Sequence, residues 1–205
     1  MLEIITGTVL ASAAGLNAYI PLLGIGLLSR FTEMVQLPEG WAWLENDWAL
    51  GVIGVLLLVE LIVDKVPALD SVNDVLQTVV RPASGGLVFS AGSSSETVAV
   101  ADPAAFVGSS QFWPFVLGAV VALIPHLLKA VARPVLNVLT AGAGAAVSSA
   151  LEDLGAALLT ILAVIVPLLA LVCAVALIVL LIRRLRRGLA ARRDRASRAG
   201  AGTAT

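Results

Sequence analysis

Residues 4–28, with the sequence IITGTVLASAAGLNAYIPLLGIGLL, form an apolar run without a single charged side chain. Three further runs follow at Ala49–Val63, Phe115–Leu128 and Leu154–Ile182. A soluble domain of 205 residues cannot bury so much apolar surface, and the 59% hydrophobic content and mean hydropathy of +1.00 agree with this. We therefore predict an integral membrane protein whose fold is an all-α polytopic helical bundle with four strong spans.

The length of the chain limits it to one membrane domain. Each crossing needs about 20 residues, so residues 1–182 leave no room for a separate soluble domain. Residues 183–205 form an Arg-rich tail that holds eight of the thirteen basic residues. A basic segment beside a membrane helix is expected in the cytoplasm, and the end of the tail, residues 199–205, is predicted to be disordered.

Basic residues also predict the topology. When the spans alternate from a cytoplasmic tail, twelve of the thirteen basic residues face the cytoplasm and only Arg30 lies outside. This predicts a multi-pass protein of the bacterial inner membrane, with both termini in the cytoplasm and the Trp41–Trp48 loop outside. No basic residue precedes the first apolar run, so we expect that run to remain in the mature protein rather than act as a cleaved signal.

Two segments rich in small residues, 82–105 and 134–151, separate the apolar runs. Each is either a short span or a re-entrant segment buried among other helices, because lipid cannot satisfy irregular backbone. The stretch Glu60–Asp70 also resembles His126–Asn137, which suggests an internal repeat of the kind found in transporters. The alternative is that small residues simply recur in any tightly packed membrane bundle.

Several short motifs, in a characteristic order, carry a resemblance to a known family. The chain resembles the bacterial membrane proteins grouped as domain of unknown function 4126. One departure is the sequence VLTAGAG after Asn137, where the family implies a more polar Ser-Pro-Glu-Pro-like stretch. The resemblance implies a membrane fold without an assigned activity. The motifs are Gly15-Leu-Asn17-Ala-Tyr19-Ile-Pro21, Glu60 with Asp64-Lys65-Val-Pro67-Ala-Leu-Asp70, Arg81-Pro-Ala-Ser-Gly85-Gly86, His126-Leu-Leu-Lys129 through Arg133 and Asn137, and Ser149-Ala-Leu-Glu152-Asp153.

Ionisable residues inside apolar runs are candidates for function because each costs several kcal/mol, about 2.5 to 3.5 on insertion scales, unless it is paired or hydrated. Glu60 and Asp64 share a helix face, and His126 and Lys129 occupy the matching part of the second half. We predict that Glu60 and His126 lie within reach of one another and together hold or pass a proton. Alternatively, both sit near the headgroups and reach cytoplasmic water.

The first apolar run contains a second candidate site at Asn17, Tyr19 and Pro21. Pro21 cannot donate a hydrogen bond to the carbonyl of Asn17, so we expect a kink that leaves this oxygen free to bind a solute or ion. The alternative is a structural helix, in which Gly7 and Gly15 belong to a packing stripe.

A cytoplasmic vestibule is the interpretation of a third group. Residues 68–80 combine an apolar stripe with a polar face, which predicts a helix started by Pro67 that lies along the floor of the bundle. Its acidic face either attracts cations or is simply solvated. The vestibule residues are predicted to be Asp70, Asp74, Arg81, Arg133 and Asn137. Further along, Ser149 and Glu152 match a capping box that would start the last helix.

The sequence argues against several other functions. With one histidine and one cysteine, Cys173, the chain cannot build a His/Cys metal site, and it has no recognisable enzyme motif, so we expect neither an enzyme nor a cofactor. Nucleic-acid binding is not expected either. The predicted partners are membrane lipids and a small solute or ion, with homo-oligomerisation left open. The predicted function is passage of that solute or ion, and the alternative is a non-transporting scaffold or lipid-binding partner protein.

Overall fold

The computed structural model describes residues 1–37, 39–66, 69–93, 112–140 and 143–202. Within these ranges the side chains of residues 39, 70, 71, 137, 139, 145 and 191–202 are not described. The side chains of the candidate residues Asp70 and Asn137 are therefore not placed. Pro67 and residues 94–105 lie outside the described residues.

The described residues form seven α-helices and one 3₁₀-helix. The α-helices are α1 (Leu2–Leu16), α2 (Tyr19–Phe31), α3 (Asp47–Val63), α4 (Asp70–Gly92), α5 (Phe112–Thr140), α6 (Ala143–Ile165) and α7 (Pro167–Gly202), and the 3₁₀-helix is Glu39–Glu45.

The first apolar run is a helical hairpin and not a single span. Asn17 is extended between α1 and α2, with φ −144° and ψ 120°. Its side-chain oxygen accepts hydrogen bonds from the backbone N–H groups of Tyr19 and Ile20, both at 3.1 Å, and so caps α2. The helix is thus interrupted in the region predicted, but by a reversal at Asn17 and not by a kink at Pro21. Pro21 lies in the first turn of α2, where its missing N–H has no intrahelical partner to lose.

The hairpin is too short to cross a bilayer. The 15 residues of α1 extend about 22 Å, against about 30 Å for a hydrocarbon core. Thr6 of α1 and Ile25 of α2 line the same cavity, so the two helices run side by side in opposite directions. The hairpin therefore enters and leaves at the same end of the bundle, with Asn17 at its tip.

Helix α4 exposes its apolar face and buries its polar face, the opposite of a surface helix in a soluble protein. Val75 and Val79 are more than 70% exposed, whereas Asp74 and Gln77 on the opposite face are buried. The helix also continues to Gly92, where it packs against Gly7 of α1. The prediction of a short interfacial helix is therefore wrong, because the apolar stripe faces outward and the polar face points into the bundle.

The hairpin packs against α4 and α5 through glycine. A methyl group added to Gly15 would lie 2.2 Å from the carbonyl oxygen of Ala122 and 2.4 Å from a ring carbon of Pro125. One added to Gly7 would lie 2.9 Å from the carbonyl oxygen of Phe89. The packing stripe predicted for α1 is therefore confirmed, and it brings the tip of the hairpin into the centre of the bundle.

The last apolar run is also divided. Gly155 of α6 faces Leu177 of α7, so the two helices fold back on each other at Val166. Pro167 has no N–H to donate to the carbonyl of Ala163, and the Thr6 hydroxyl donates to that oxygen at 3.2 Å instead. This bond ties the end of α6 to the beginning of the hairpin.

Residues 134–151 belong to two regular helices. Helix α5 continues past Pro134 to Thr140, so Pro134 does not open a new element as the repeat required. Helix α6 already begins at Ala143, and Ser149 and Glu152 lie inside it, which makes the predicted capping box wrong. The Thr140 hydroxyl accepts from the backbone N–H of Gly144 at 2.9 Å.

The beginning of α1 and Gly188 of α7 lie at opposite ends of the bundle. Thr6 contacts the end of α6, whereas Gly188 in the tail lies against Val135 near the end of α5. In a bundle that spans a membrane this arrangement would put the two on opposite faces, whereas the sequence predicts one face for both termini. Three described segments are long and apolar enough to cross a membrane, namely Phe112–Leu136, Ala146–Ile165 and Pro167–Ala190.

Candidate functional site

A cluster of buried polar side chains lies where the tip of the hairpin meets α3, α4, α5 and α6. We call this cluster the polar core. Every member is at most 8% exposed. Its members are Asn17, Glu60, Asp64, Asp74, Gln77, Arg81, His126, Lys129, Arg133, Glu152 and Asp153.

Asp64 is the hub of the polar core. Its carboxylate accepts a two-pronged pair of hydrogen bonds from Arg133 at 2.7 and 3.2 Å and one from Lys129 at 2.8 Å. Asn73 and Ser149 add neutral donors at 2.8 and 3.3 Å. Asp64 lies just beyond the end of α3, and although burial alone would raise its pKa, Lys129 and Arg133 lower the pKa well below the usual value.

Arg81 connects the two residues that were predicted to pair. It donates to Glu60 Oε1 at 2.7 Å through one terminal nitrogen and to His126 Nδ1 at 3.4 Å through the other. Glu60 and His126 thus meet at one cation, at a similar depth in the bundle. Arg81 was predicted to line a cytoplasmic vestibule, and instead it lies in the centre of the bundle.

The bonds around His126 define a neutral imidazole. Its Nδ1 faces the N–H of Arg81 and must accept, and its Nε2 lies 3.0 Å from the Thr78 hydroxyl. That hydroxyl donates to the carbonyl of Asp74, so it accepts from His126 Nε2. The ring therefore carries its proton on Nε2.

The hairpin tip is held by cations. Lys129 donates to the carbonyl of Leu16 at 3.2 Å, and Arg81 donates to that of Gly15 at 3.4 Å. These are the last carbonyls of α1, the negative end of its dipole. On the other side of the tip, the Asn17 amide donates to Asp153 at 3.0 Å.

Two acidic residues of the polar core were missed as site residues. Glu152 lies 3.3 Å from Lys129, and Asp153 contacts both Asn17 and Lys65. Glu152 was predicted to lie at the start of a helix, whereas α6 begins nine residues before it. Their position within a long apolar helix was the signal available, because charges at such positions need partners.

The cytoplasmic vestibule predicted from the sequence is instead part of the bundle interior. Asp74, Arg81 and Arg133 are 7%, 0% and 2% exposed. Arg133 links Asp64 to Asp74, at 2.7 and 3.3 Å. Of the other candidates, Asn17, Glu60, Asp64, His126 and Lys129 join the same cluster, and Pro21 is buried in α2 without a role in the polar contacts described.

Tyr19 lies beside the polar core at the start of α2. Its partly buried hydroxyl is within hydrogen-bonding distance of the Gln77 side chain, and Glu60 and Arg81 are charged neighbours. Gln77 was not among the predicted site residues, although it lies on the same face of α4 as Arg81, four residues earlier.

Cavities lie on both sides of the polar core. One of about 200 Å³ opens at the end of the bundle where α1 begins, with Thr6, Leu10 and Ile25 in its wall. The other, of about 240 Å³, lies between α6 and α7 and reaches Glu152 and Arg184. Among the described residues, no group of three or more His, Cys, Asp or Glu side chains could hold a metal ion.

Comparison with known proteins gives one result. The sequence model of a family described as Domain of unknown function (DUF4126) matches residues 4–187, which confirms the resemblance found in the motifs. No curated protein and no solved structure matches the chain.

Proposed function

The chain belongs to the DUF4126 family, and we propose that it is a membrane transporter or channel that passes a small solute or ion through the polar core. The observation that carries the proposal is the tip of a helical hairpin, Leu16–Ala18, inside a buried ionic cluster. Interrupted helices whose free backbone ends meet polar side chains near the middle of the membrane are typical of transporter sites.

The proposed arrangement in the membrane follows from the directions of the helices. In this arrangement α5, α6 and α7 cross the membrane, and the hairpin α1–α2 enters and leaves from the outer face. The Arg-rich tail is then cytoplasmic by the positive-inside rule, and the beginning of α1 faces the opposite side, across the bacterial inner membrane. The outward apolar residues of α4, such as Val75 and Val79, would contact lipid.

The two cavities support a route for the solute. The outer cavity lies between α1 and α2, above the hairpin tip, and the inner one reaches Glu152, which contacts Lys129 in the polar core. Between them the tip is tied by Lys129 and Arg81. We propose that a small movement of the hairpin, which breaks these two bonds, opens the route.

The alternative function is a scaffold, in which the ion pairs only lock the helices. The number of pairs around Asp64 favours it. However, buried ion pairs are seldom better at holding a fold than apolar packing of the same volume, because desolvation offsets their attraction. So many charges at a hairpin tip are therefore better explained by a function that uses them.

Solute flux into proteoliposomes tests the proposal. We would reconstitute the whole chain, offer a panel of alkali cations, protons, halides and small neutral solutes, and compare Glu60→Gln with Asp47→Asn. Both variants replace a carboxylate with an amide, but Asp47 is on the exposed surface, with its side chain 81% accessible. Flux of at least one solute that falls in Glu60→Gln and persists in Asp47→Asn supports transport. A wild-type protein that is folded but inactive toward the whole panel favours the scaffold.

A further inference from the structure

We propose that the oxygen atoms of Tyr19, Glu60 and Gln77 form a binding site for one monovalent alkali cation. This deepens the proposed function by naming the class of ion, and so rests on it in part. The binding itself can be measured without transport.

Two of the three oxygens have no hydrogen-bond donor. Glu60 and Gln77 are 2% and 3% exposed, and Glu60 Oε2 and Gln77 Oε1 are unpaired. A buried acceptor without a partner costs about 1–3 kcal/mol, and native structures keep such atoms mainly where a ligand, ion or water uses them. Glu60 uses only its other oxygen, Oε1, to bind Arg81.

The two unpaired atoms belong to one place in the bundle. Gln77 and Arg81 are one turn apart on α4, and Arg81 holds Glu60 of α3. Tyr19, from the first turn of α2, adjoins this group, because its hydroxyl is within hydrogen-bonding distance of the Gln77 side chain. Three helices thus contribute a carboxylate, an amide and a phenol oxygen, which are hard ligands suited to a hard cation.

The net charge of the surrounding side chains would be neutralised by one positive charge. The polar core holds five acids and three bases, which sum to −2, and the partly exposed Lys65, which pairs with Asp153 at its edge, brings the sum to −1. The acids are Glu60, Asp64, Asp74, Glu152 and Asp153, and the bases are Arg81, Lys129 and Arg133. His126 is neutral, as its hydrogen bonds require. A monovalent cation brings the sum to zero. A divalent ion would demand more carboxylate oxygens than the single one at this site.

Arg81 Nε, the remaining unpaired atom of this group, is a donor and cannot bind a cation. A water molecule on the cation would accept from it and complete the coordination shell. The site therefore satisfies all three unpaired atoms at once, whereas a ligand with acceptors alone would leave Glu60 and Gln77 unpaired.

The test is direct binding of radioactive sodium and rubidium ions to the purified full-length protein. We expect saturable binding of at least one of them, up to one ion per chain, displaced by unlabelled alkali chloride but not by choline chloride. Gln77→Leu and Tyr19→Phe remove a neutral oxygen each and should weaken binding by about tenfold or more. Glu60→Gln should abolish it, and Asp47→Asn should leave it unchanged.

Two results would overturn the site. One is the absence of saturable binding of either ion to a folded wild-type protein. The other is unchanged binding in Tyr19→Phe or Gln77→Leu. If Gln77→Leu fails to accumulate, Tyr19→Phe alone still tests the site. The binding and flux measurements test different proposals. Cation binding without flux would support the site and contradict transport, whereas flux of another solute without cation binding would support transport and contradict the site.

Discussion

Replacement of Asp64 by Asn should lower the free energy of unfolding more than any other exchange of one atom in the polar core. The carboxylate is the shared acceptor of Lys129 and Arg133, at 2.8 and 2.7 Å, and it is 2% exposed. Asn has the same shape but no charge, so it leaves both cations buried with weaker partners. Lys129 retains Glu152 at 3.3 Å, and Arg133 retains Asp74 at 3.3 Å.

The expected magnitude follows from these remaining contacts. Removing one partner of a buried ion pair costs about 3–5 kcal/mol, because the other charge loses its compensation without returning to water. Since each cation keeps one longer contact, we expect the lower end, about 3 kcal/mol. The control Asp47→Asn loses only an exposed pair with Arg30, and such pairs contribute less than about 1 kcal/mol.

The assay is unfolding of the purified protein in mild detergent, by titration with a denaturing detergent and by heating, with tryptophan fluorescence as the signal. A second variant, Lys129→Met, removes one of the stranded cations. Combined with Asp64→Asn it should lose less than the sum of the two single losses, with a coupling of about 0.5–3 kcal/mol.

A loss in Asp64→Asn no larger than that in Asp47→Asn would contradict this account of the polar core. Strict additivity of Asp64→Asn and Lys129→Met would do so as well. Either result would mean that the 2.8 Å contact between the two side chains contributes nothing to the folded state.

The remaining predictions concern the hairpin, the topology and pH. Gly15→Ala should destabilise the protein by about 1–3 kcal/mol, because its methyl group would meet the Ala122 carbonyl. The control Gly51→Ala, with nothing within 4 Å, should be neutral or slightly stabilising, and equal melting temperatures of the two variants would contradict the packing. Asn17→Ala removes the cap of α2 and the bond to Asp153, so denaturant titration should show a loss of about 1–2 kcal/mol; an unchanged midpoint would count against the capped tip. In a Cys173→Ala background, Glu3→Cys and Ala190→Cys should react with a membrane-impermeant reagent from opposite sides, and labelling from one side would reject the hairpin topology. The pKa of Asp64 is lower in the folded protein than in the unfolded chain, where it is about 3.9, so its ion pairs stabilise the fold fully above that pH and progressively less below it. At pH values under about 4 the melting temperature of the wild type should therefore fall, and that of Asp64→Asn should change less.

The helix breaks inside the apolar runs were only partly predictable from the sequence. The apolar runs at 4–28 and 154–182 each look like one span, yet each divides into two helices, at Asn17 and at Val166. Pro167 marks the second break in the sequence. Pro21 marks the region of the first break but not its kind. An Asn becomes a cap only when its backbone is extended, and here the cap is supported by Asp153, 136 residues away.

The candidate residues were largely recognisable, but their arrangement was not. Glu60, Asp64, His126 and Lys129 were identified because a charge or imidazole in an apolar run demands a partner. Arg81 was misplaced because the polar face of residues 70–80 has the same helical spacing whether it faces water or the interior of a bundle. Only the packing of α4 against α1 and α5 decides between the two.

The sequence by itself therefore determined the membrane class, the all-helical fold and the family, since hydrophobicity and short motifs are local properties of the chain. The tertiary structure decided that the first run is a hairpin, that the beginning of α1 and Gly188 of α7 lie at opposite ends of the bundle, and that Arg81 joins Glu60 to His126. These features depend on contacts between residues far apart in sequence. Ion pairing is set by distance in space, and spacing along the chain alone does not specify which of several buried acids a given cation will meet.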